Sequence, residues 1–194
     1  MYYRVFSLVL ISLLGFTSTA AVAKNLEDIH LTWKPTTAVK PRPKNAIERI
    51  AIEDFTDARK TGELIGENRQ KENETLRVTT KDNIGAFVTE GFRKSFENAG
   101  FRTVKTGNEL TLGGELRKYF VTEDKLYKGN IEVNVWVKDA QGKTLWSGVI
   151  QSNQERWGVS YKADNYFEVL SDLVINVVNN LIEDVDTRQI FTKR

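Results

Sequence analysis

Residues 130–157 read NIEVNVWVKDAQGKTLWSGVIQSNQERW, and this stretch decides the fold. In its first half an apolar residue stands at every second position from Ile131 to Val137, which is the pattern of a strand with one buried face. The run from Asp139 to Gly142 has the composition of a hairpin loop. We therefore predict that residues 144–157 return as a strand antiparallel to the first.

Two other stretches repeat their apolar residues at steps of three and four, as amphipathic helices do. The first runs from about Thr80 to Ala99, and the second from about Ala163 to Glu183. The N-cap candidates of the first helix are Thr79, Thr80 and Asp82. Gly100 stands where a C-cap glycine is expected.

Further strands are predicted around residues 47–55, 101–105 and 110–122, and Gly113-Gly114 in the last of these predicts a bulge or a close backbone approach. Together with the hairpin and the helices, they predict an α+β fold. We expect a mostly antiparallel sheet of about four to five strands with two helices packed on one face.

The chain begins in the manner of an exported protein. A positively charged start is followed by an apolar run of about a dozen residues and by the A-x-A pattern Ala21-Val22-Ala23. We predict a cleaved signal peptide over residues 1–23, with retention as a membrane anchor as the alternative. Residues 24–45 are then an extended, proline-containing lead-in and residues 46–186 a single domain. Residues 187–194 form a tail, in which Ile190-Phe191 could dock.

Composition excludes several classes of function. The chain has 194 residues, 28 Lys+Arg against 26 Asp+Glu, and no Cys. This near-neutral balance argues against a nucleic-acid binder that works by neutralising phosphates. Without Cys there is no disulfide, thiolate nucleophile, iron–sulfur cluster or lipidated N-terminal cysteine. We expect a periplasmic protein that has no lipid anchor and no transmembrane segment after signal cleavage.

Catalytic motifs are missing from the sequence. His30 is the single histidine and stands in the lead-in, and no phosphate-binding loop, nucleophile elbow or zinc motif occurs. Glu53, Asp54 and Asp57 could form an acid–base pair, although such residues more often sit solvated at a strand end. We expect no enzyme, no cofactor and no metal, with a carboxylate-dependent hydrolase as the alternative.

A highly charged stretch, Thr56–Asn73, follows the first predicted strand and is either mobile or a binding loop. Arg59 and Arg69 could hold an anionic group through two parallel hydrogen bonds each. The candidate binding residues of this loop are Asp57, Arg59, Asn68 and Arg69.

Three tryptophans of the C-terminal half, Trp136, Trp146 and Trp157, are the candidate partner surface. Trp136 alternates with the valines of its strand, so we predict that it lies on the face opposite them. An exposed aromatic residue there would mark a partner surface or a ligand groove. The alternative is that the lead-in or the charged stretch covers it.

Residues 50–72 and 82–101, followed by the hairpin and the helix of residues 164–184, resemble the YajG-type lipoproteins of Gram-negative envelopes. The most specific parts are Asp57-x-Arg59, the Gly-Glu-Asn-Arg segment at residues 66–69, and Ala99-Gly100-Phe101. The outline is also similar to TolB N-terminal and CsgG-like envelope domains. The resemblance implies a periplasmic or outer-membrane-associated protein of poorly defined function, without catalytic residues to transfer. This chain departs from the family in lacking the lipid-anchoring Cys, which favours a soluble periplasmic protein.

These observations favour a non-catalytic accessory protein that binds another envelope protein or an assembly component through an exposed sheet face or edge. The alternative is a periplasmic protein that binds a small ligand, glycan or lipid, with the arginine-containing loop at an anionic group. Homodimerisation through a free sheet edge stays open, and nucleic acid is not expected as a partner.

Overall fold

The computed structural model of this chain describes residues 26–71, 74–184 and 189–192. The predicted signal peptide, residues 1–23, lies outside the described residues. The strands are β1 (Arg49–Ile52), β2 (Thr56–Asp57), β3 (Leu64–Lys71), β4 (Glu74–Thr79), β5 (Arg102–Thr103), β6 (Leu110–Glu123), β7 (Tyr127–Asp139) and β8 (Thr144–Arg156), and the helices are α1 (Ile84–Asn98) and α2 (Ala163–Glu183).

Strand β6 organises the sheet, because it pairs along both of its edges. One edge carries β7, antiparallel along the strand from Leu110 opposite Asp139 to Glu123 opposite Tyr127. Along the other edge β1, β2 and β3 follow one another, and all three run parallel to β6. Beyond these, β5 pairs with β1, β4 with β3, and β8 with β7.

The prediction of a mostly antiparallel sheet of about four to five strands was wrong. The eight strands form one mixed, curled sheet that resembles half a barrel. Parallel strands need a long crossover connection, and the segment containing α1 supplies it between β1 and β6. Periodicity in the sequence shows which face of a strand is buried, but it carries no information about the direction of the neighbouring strand.

The charged stretch predicted as a loop contributes two of the extra strands. Strand β2 consists of Thr56 and Asp57, and β3 begins at Leu64 and forms a hairpin with β4. In β3 only Ile65 is a fully buried large apolar residue, while its last three residues are exposed. Such a polar strand leaves little trace in the hydrophobic pattern.

The helices begin and end close to the predicted positions. Helix α2 has the predicted limits, whereas α1 begins at Ile84 because Asn83 is its N-cap and accepts a hydrogen bond from the Ala86 N–H at 2.9 Å. The predicted N-cap candidates were therefore wrong. Gly100 adopts the left-handed conformation expected after the helix, with φ of 96°. Among the residues that the structure describes, no helix has both the length and the apolar character needed to cross a membrane.

The lead-in is extended and lies across both helices. We call residues 29–42 the strap. Its backbone N–H groups donate to side chains of α2: Lys34 to Ser171 (2.9 Å), Thr36 and Thr37 to Asp172 (2.7 Å each), and Lys40 to Asn179 (2.8 Å). These three side chains of α2 are all buried. Polar residues on α2 thus bind the strap through its main chain.

One core connects the sheet, the helices and both ends of the described chain. Phe191 is completely buried, and its ring lies 5.9 Å from that of Phe96 and 5.7 Å from that of Phe101. Its carbonyl accepts a hydrogen bond from the Ile47 N–H at 2.7 Å. Residues 189–192 therefore dock onto the domain, as the sequence had left open.

Candidate functional site

Arg59 is buried in the turn between β2 and β3, with a side chain only 1% exposed. Its Nε and Nη2 atoms donate to the two carboxylate oxygens of Asp57 at 2.9 and 3.0 Å. The remaining donors reach a hydroxyl and three backbone carbonyls, those of Thr61, Gly62, Leu64 and Tyr119. All three guanidinium nitrogens are thus engaged within the protein, so Arg59 holds the shape of this turn.

The turn forms one wall of an open groove of about 690 Å³, which we call the cationic groove. Residues 115 and 117–120 of β6 also line the groove. Five cationic side chains and two carboxylates line it, together with Ala58, Thr61, Leu64, Tyr119 and Phe120. The charged residues of the lining are Arg59, Lys60, Arg69, Arg117, Lys118, Glu67 and Glu115.

The four predicted loop residues divide between two places. Asp57 and Arg59 form an ion pair at the wall of the groove, and Arg69 lines the groove while paired with Glu67. Asn68 is buried instead, with its amide nitrogen 3.2 Å from the Ser160 hydroxyl. Arg59 and Arg69 therefore line the cationic groove, and Asp57 lies beside it through its ion pair with Arg59.

Trp136 lies on the sheet face opposite the buried valines of β7, as predicted, and is half-buried. Its indole N–H donates to Glu53 Oε2 at 3.0 Å, and Lys138 Nζ lies 3.1 Å from the same oxygen. The indole hydrogen bond, with help from Lys138, lowers the pKa of Glu53 below its ordinary value of 4.5. A carboxylate held ionised in this way is poorly suited to act as a general acid at neutral pH.

The three predicted tryptophans do not form one surface. Trp146 pairs with the buried Val137 and packs against the core, so it lies on the face opposite Trp136. Trp157 follows the other end of β8 and is 75% exposed. Trp157 follows Trp146 by eleven positions of mostly extended chain, which corresponds to about 36 Å.

Exposed large apolar side chains are concentrated on β8 and the loop that follows it. Among the described residues, the large apolar side chains classed as exposed are Leu145, Val149, Trp157 and Val159. Strand β8 pairs only with β7 among the described strands, and its charged residues are the last two, Glu155 and Arg156. A long edge strand with little charge is open to pairing with another strand.

The residues considered for catalysis or metal binding are dispersed. Glu53 is bound to Trp136 and Lys138, and Asp57 to Arg59. His30 is 92% exposed and lies 3.1 Å from a carboxylate oxygen of Asp82. Within the described parts of the chain, no group of three or more His, Asp or Glu side chains is placed to hold a metal ion.

Several residues of the cationic groove and of the exposed face of β8 were not identified from the sequence. Lys60, Arg117 and Lys118 line the cationic groove, and Leu145 and Val149 are exposed on β8. The adjacent pair Arg117-Lys118 interrupts the alternation of β6 and was a usable signal, since β6 has a register shift between Leu116 and Lys118.

No protein-family model matches this sequence, and no curated protein matches it. Among solved structures, protein XCC0632 from Xanthomonas campestris, of family DUF330, is 14% identical, with a TM-score of 0.56 over 80% of this chain and 96% of that chain. A minor lipoprotein from Acinetobacter baumannii is 7% identical, with a TM-score of 0.44 over 73% and 94% of the two chains. The PelC dodecamer from Paraburkholderia phytofirmans is 13% identical, with a TM-score of 0.42 over 74% and 93%.

The comparison with the Xanthomonas protein, at a TM-score of 0.56, establishes likeness of fold. At 14% identity, the Xanthomonas protein provides information about the fold and none about ligands or activity. The matched structures include a DUF330 protein and bacterial lipoproteins, and none of them tests the YajG resemblance specifically. The chain thus shares its overall fold with the DUF330 protein from Xanthomonas campestris.

Proposed function

We propose that this protein is a non-catalytic accessory protein of the cell envelope that binds an extended segment of another envelope protein along the free edge of β8. The observation that carries the proposal is the coincidence of a long, nearly uncharged edge strand with the exposed apolar side chains of the described chain. In such binding, main-chain hydrogen bonds supply affinity, and side chains at alternate positions supply specificity.

The side chains of β8 fit this mode of binding. Val149 lies on the outer face of the strand and is 49% exposed, while Trp146 and Ile150 lie on the inner face against the core. Leu145 is 43% exposed and is the extra residue where the register of β7 and β8 shifts. A strand added at this edge would extend both faces of the sheet. An apolar residue of the partner on the outer face would then cover Val149.

The envelope location rests on the signal-peptide pattern and on the YajG-type resemblance, both of which remain part of the proposal. The absence of Cys excludes a cysteine-linked lipid, so we propose a periplasmic protein without a lipid anchor. A second copy of the chain is one candidate partner, because an edge strand can pair with its own counterpart.

The absence of cysteine makes a clean crosslinking experiment possible, since an introduced cysteine is the only thiol. Val149→Cys and Val159→Cys replace two exposed valines of similar exposure, one on β8 and one beyond it. Each variant is labelled with a photoactivatable crosslinker and irradiated with an envelope extract. We expect one defined adduct, identified by mass spectrometry, from position 149 and at most a weak one from position 159.

Variants that introduce a charge then distinguish strand addition from nonspecific hydrophobic adsorption. Val149→Lys should abolish capture of the identified partner, whereas Val159→Lys should retain it. Equal loss in both variants, or adducts of many unrelated proteins from position 149, would overturn binding at the β8 edge.

A further inference from the structure

The cationic groove has features of a binding site that the proposed function does not use. It lies on β6 and the turn between β2 and β3, away from the β8 edge, and its volume of about 690 Å³ falls within the range of small-molecule pockets. Because all three guanidinium nitrogens of Arg59 are engaged inside the wall, the groove is formed before any ligand arrives. A preformed site avoids the entropic cost of ordering a loop on binding.

The charges of the groove are only partly neutralised. Arg69 pairs with Glu67, and Arg117 Nε lies 3.3 Å from Glu115 Oε1. Both arginines are exposed, and surface ion pairs of this kind are weak, so a bound anion can compete for them. Lys60 and Lys118 have no ion-pair partner among the described residues.

Apolar surface lies beside these cations. Leu64 and Phe120 are half-buried, and each retains exposed surface in the groove. Ala58 adds a methyl group to the same wall. A purely ionic ligand would leave this apolar surface in water, whereas a short hydrocarbon chain would cover it.

We propose that the cationic groove binds a small amphiphilic anion, with a phosphate or carboxylate head at Lys60, Arg117 and Lys118 and an apolar chain against Leu64 and Phe120. Arg69, which is exposed and paired with Glu67, lines the same groove. Arg59 acts as a positioning residue that keeps the wall in place, because its donors are already engaged.

Isothermal titration calorimetry with octyl phosphate tests this proposal on the purified protein. Inorganic phosphate carries the charged head without the chain, and octyl glucoside carries the same chain on an uncharged head. We expect octyl phosphate to bind at least about tenfold more tightly than either probe, and its affinity to fall as salt is added.

The double variant Lys60→Gln/Lys118→Gln should weaken octyl phosphate binding by about tenfold or more. Its matched control is Lys128→Gln/Lys143→Gln, which removes two exposed lysines outside the groove and should leave the affinity unchanged. Equal weakening in both double variants would mean nonspecific charge attraction and would overturn the site. If octyl phosphate binds no more tightly than inorganic phosphate, the proposal that the ligand is amphiphilic is overturned. Neither result affects the proposal that a partner binds at the β8 edge.

Discussion

At the scale of single residues, Arg59 shows how burial changes the meaning of a sequence motif. Arg59 was predicted, together with Arg69, to hold an anionic group, but its guanidinium is 1% exposed and donates to a carboxylate, a hydroxyl and three carbonyls. A buried cation is tolerated when its donors are satisfied in this way. The sequence identified Arg59 as a candidate, but it did not show that the side chain is buried.

Replacing Arg59 by Met should strongly destabilise the protein. The Arg59→Met variant leaves Asp57 and three backbone carbonyls without their donor, so we expect the free energy of unfolding to fall by about 2–4 kcal/mol. Urea denaturation followed by circular dichroism measures this. The control Arg69→Met, at a residue 60% exposed, should change stability by less than about 0.5 kcal/mol. A loss in Arg59→Met no larger than in the control would contradict the structural role.

For Gly113-Gly114 in β6 the sequence predicted either a bulge or a close backbone approach, and the second of these was correct. A Cβ atom at Gly114 would lie 2.3 Å from a ring carbon of Phe55 and 2.8 Å from the Asn134 carbonyl oxygen. The pair therefore permits a close approach, while the register shift of β6 falls later, between Leu116 and Lys118. Glycine composition indicates crowding but does not say which group is the neighbour.

At the scale of elements, the strap shows how an irregular segment is held without regular secondary structure. Buried polar side chains of α2 accept its backbone N–H groups, and the Asp82 carboxylate accepts the Leu31 N–H at 2.7 Å. Trp33 lies against the helices because Gly91 leaves room for it: a Cβ there would meet the indole at 2.6 Å. The sequence predicted an extended lead-in. Only the tertiary structure shows which side chains of the domain hold it in place.

Docking of the outer end of the strap should depend on pH. Hydrogen bonds from the Leu31 N–H and from His30 lower the pKa of Asp82 below its ordinary value of 3.8. Because the folded-state pKa is depressed, this stabilisation is present above pH 3.8 and is lost as the pH falls through the folded-state value. We expect the Leu31 amide resonance in nuclear magnetic resonance spectra to shift towards its unfolded position below pH 3.8.

The control for this titration is Asp82→Asn, which removes the titrating group. Asp28, paired with Lys81, also titrates nearby, so the variant separates its effect from that of Asp82. An acid shift of the Leu31 amide that persists unchanged in Asp82→Asn would contradict the assignment to Asp82.

At the scale of the whole molecule, contacts between distant parts of the chain close the fold. Thr192 forms a β-bridge with Ala46, and Phe191 completes an aromatic cluster with Phe96 and Phe101. The last described residues thus belong to the same core as β1 and α1. No local pattern around Phe191 predicts its burial, because a short aromatic segment at a chain end is equally consistent with a frayed tail.

Phe191→Ala should therefore cost much more stability than its position near the end of the chain suggests. Removing a completely buried phenylalanine is expected to lower the free energy of unfolding by about 3–5 kcal/mol. Phe120→Ala, at a half-buried ring on the outer sheet face, should cost about 1 kcal/mol. Thermal and urea unfolding compare the two variants, and similar losses in both would contradict the role of Phe191 in the core.

The sequence by itself determined the local features of this protein: the hairpin of β7 and β8, the limits of α2, the glycine that ends α1 and the outward position of Trp136. Alternation and helical periodicity encode these because they depend on neighbours in the chain. Only the tertiary structure decided that β1, β2 and β3 run parallel along β6, that Arg59 is enclosed, and that the cationic groove forms. The physical reason is that strand direction and burial depend on contacts between residues far apart in sequence. No local pattern in the sequence predicts these contacts.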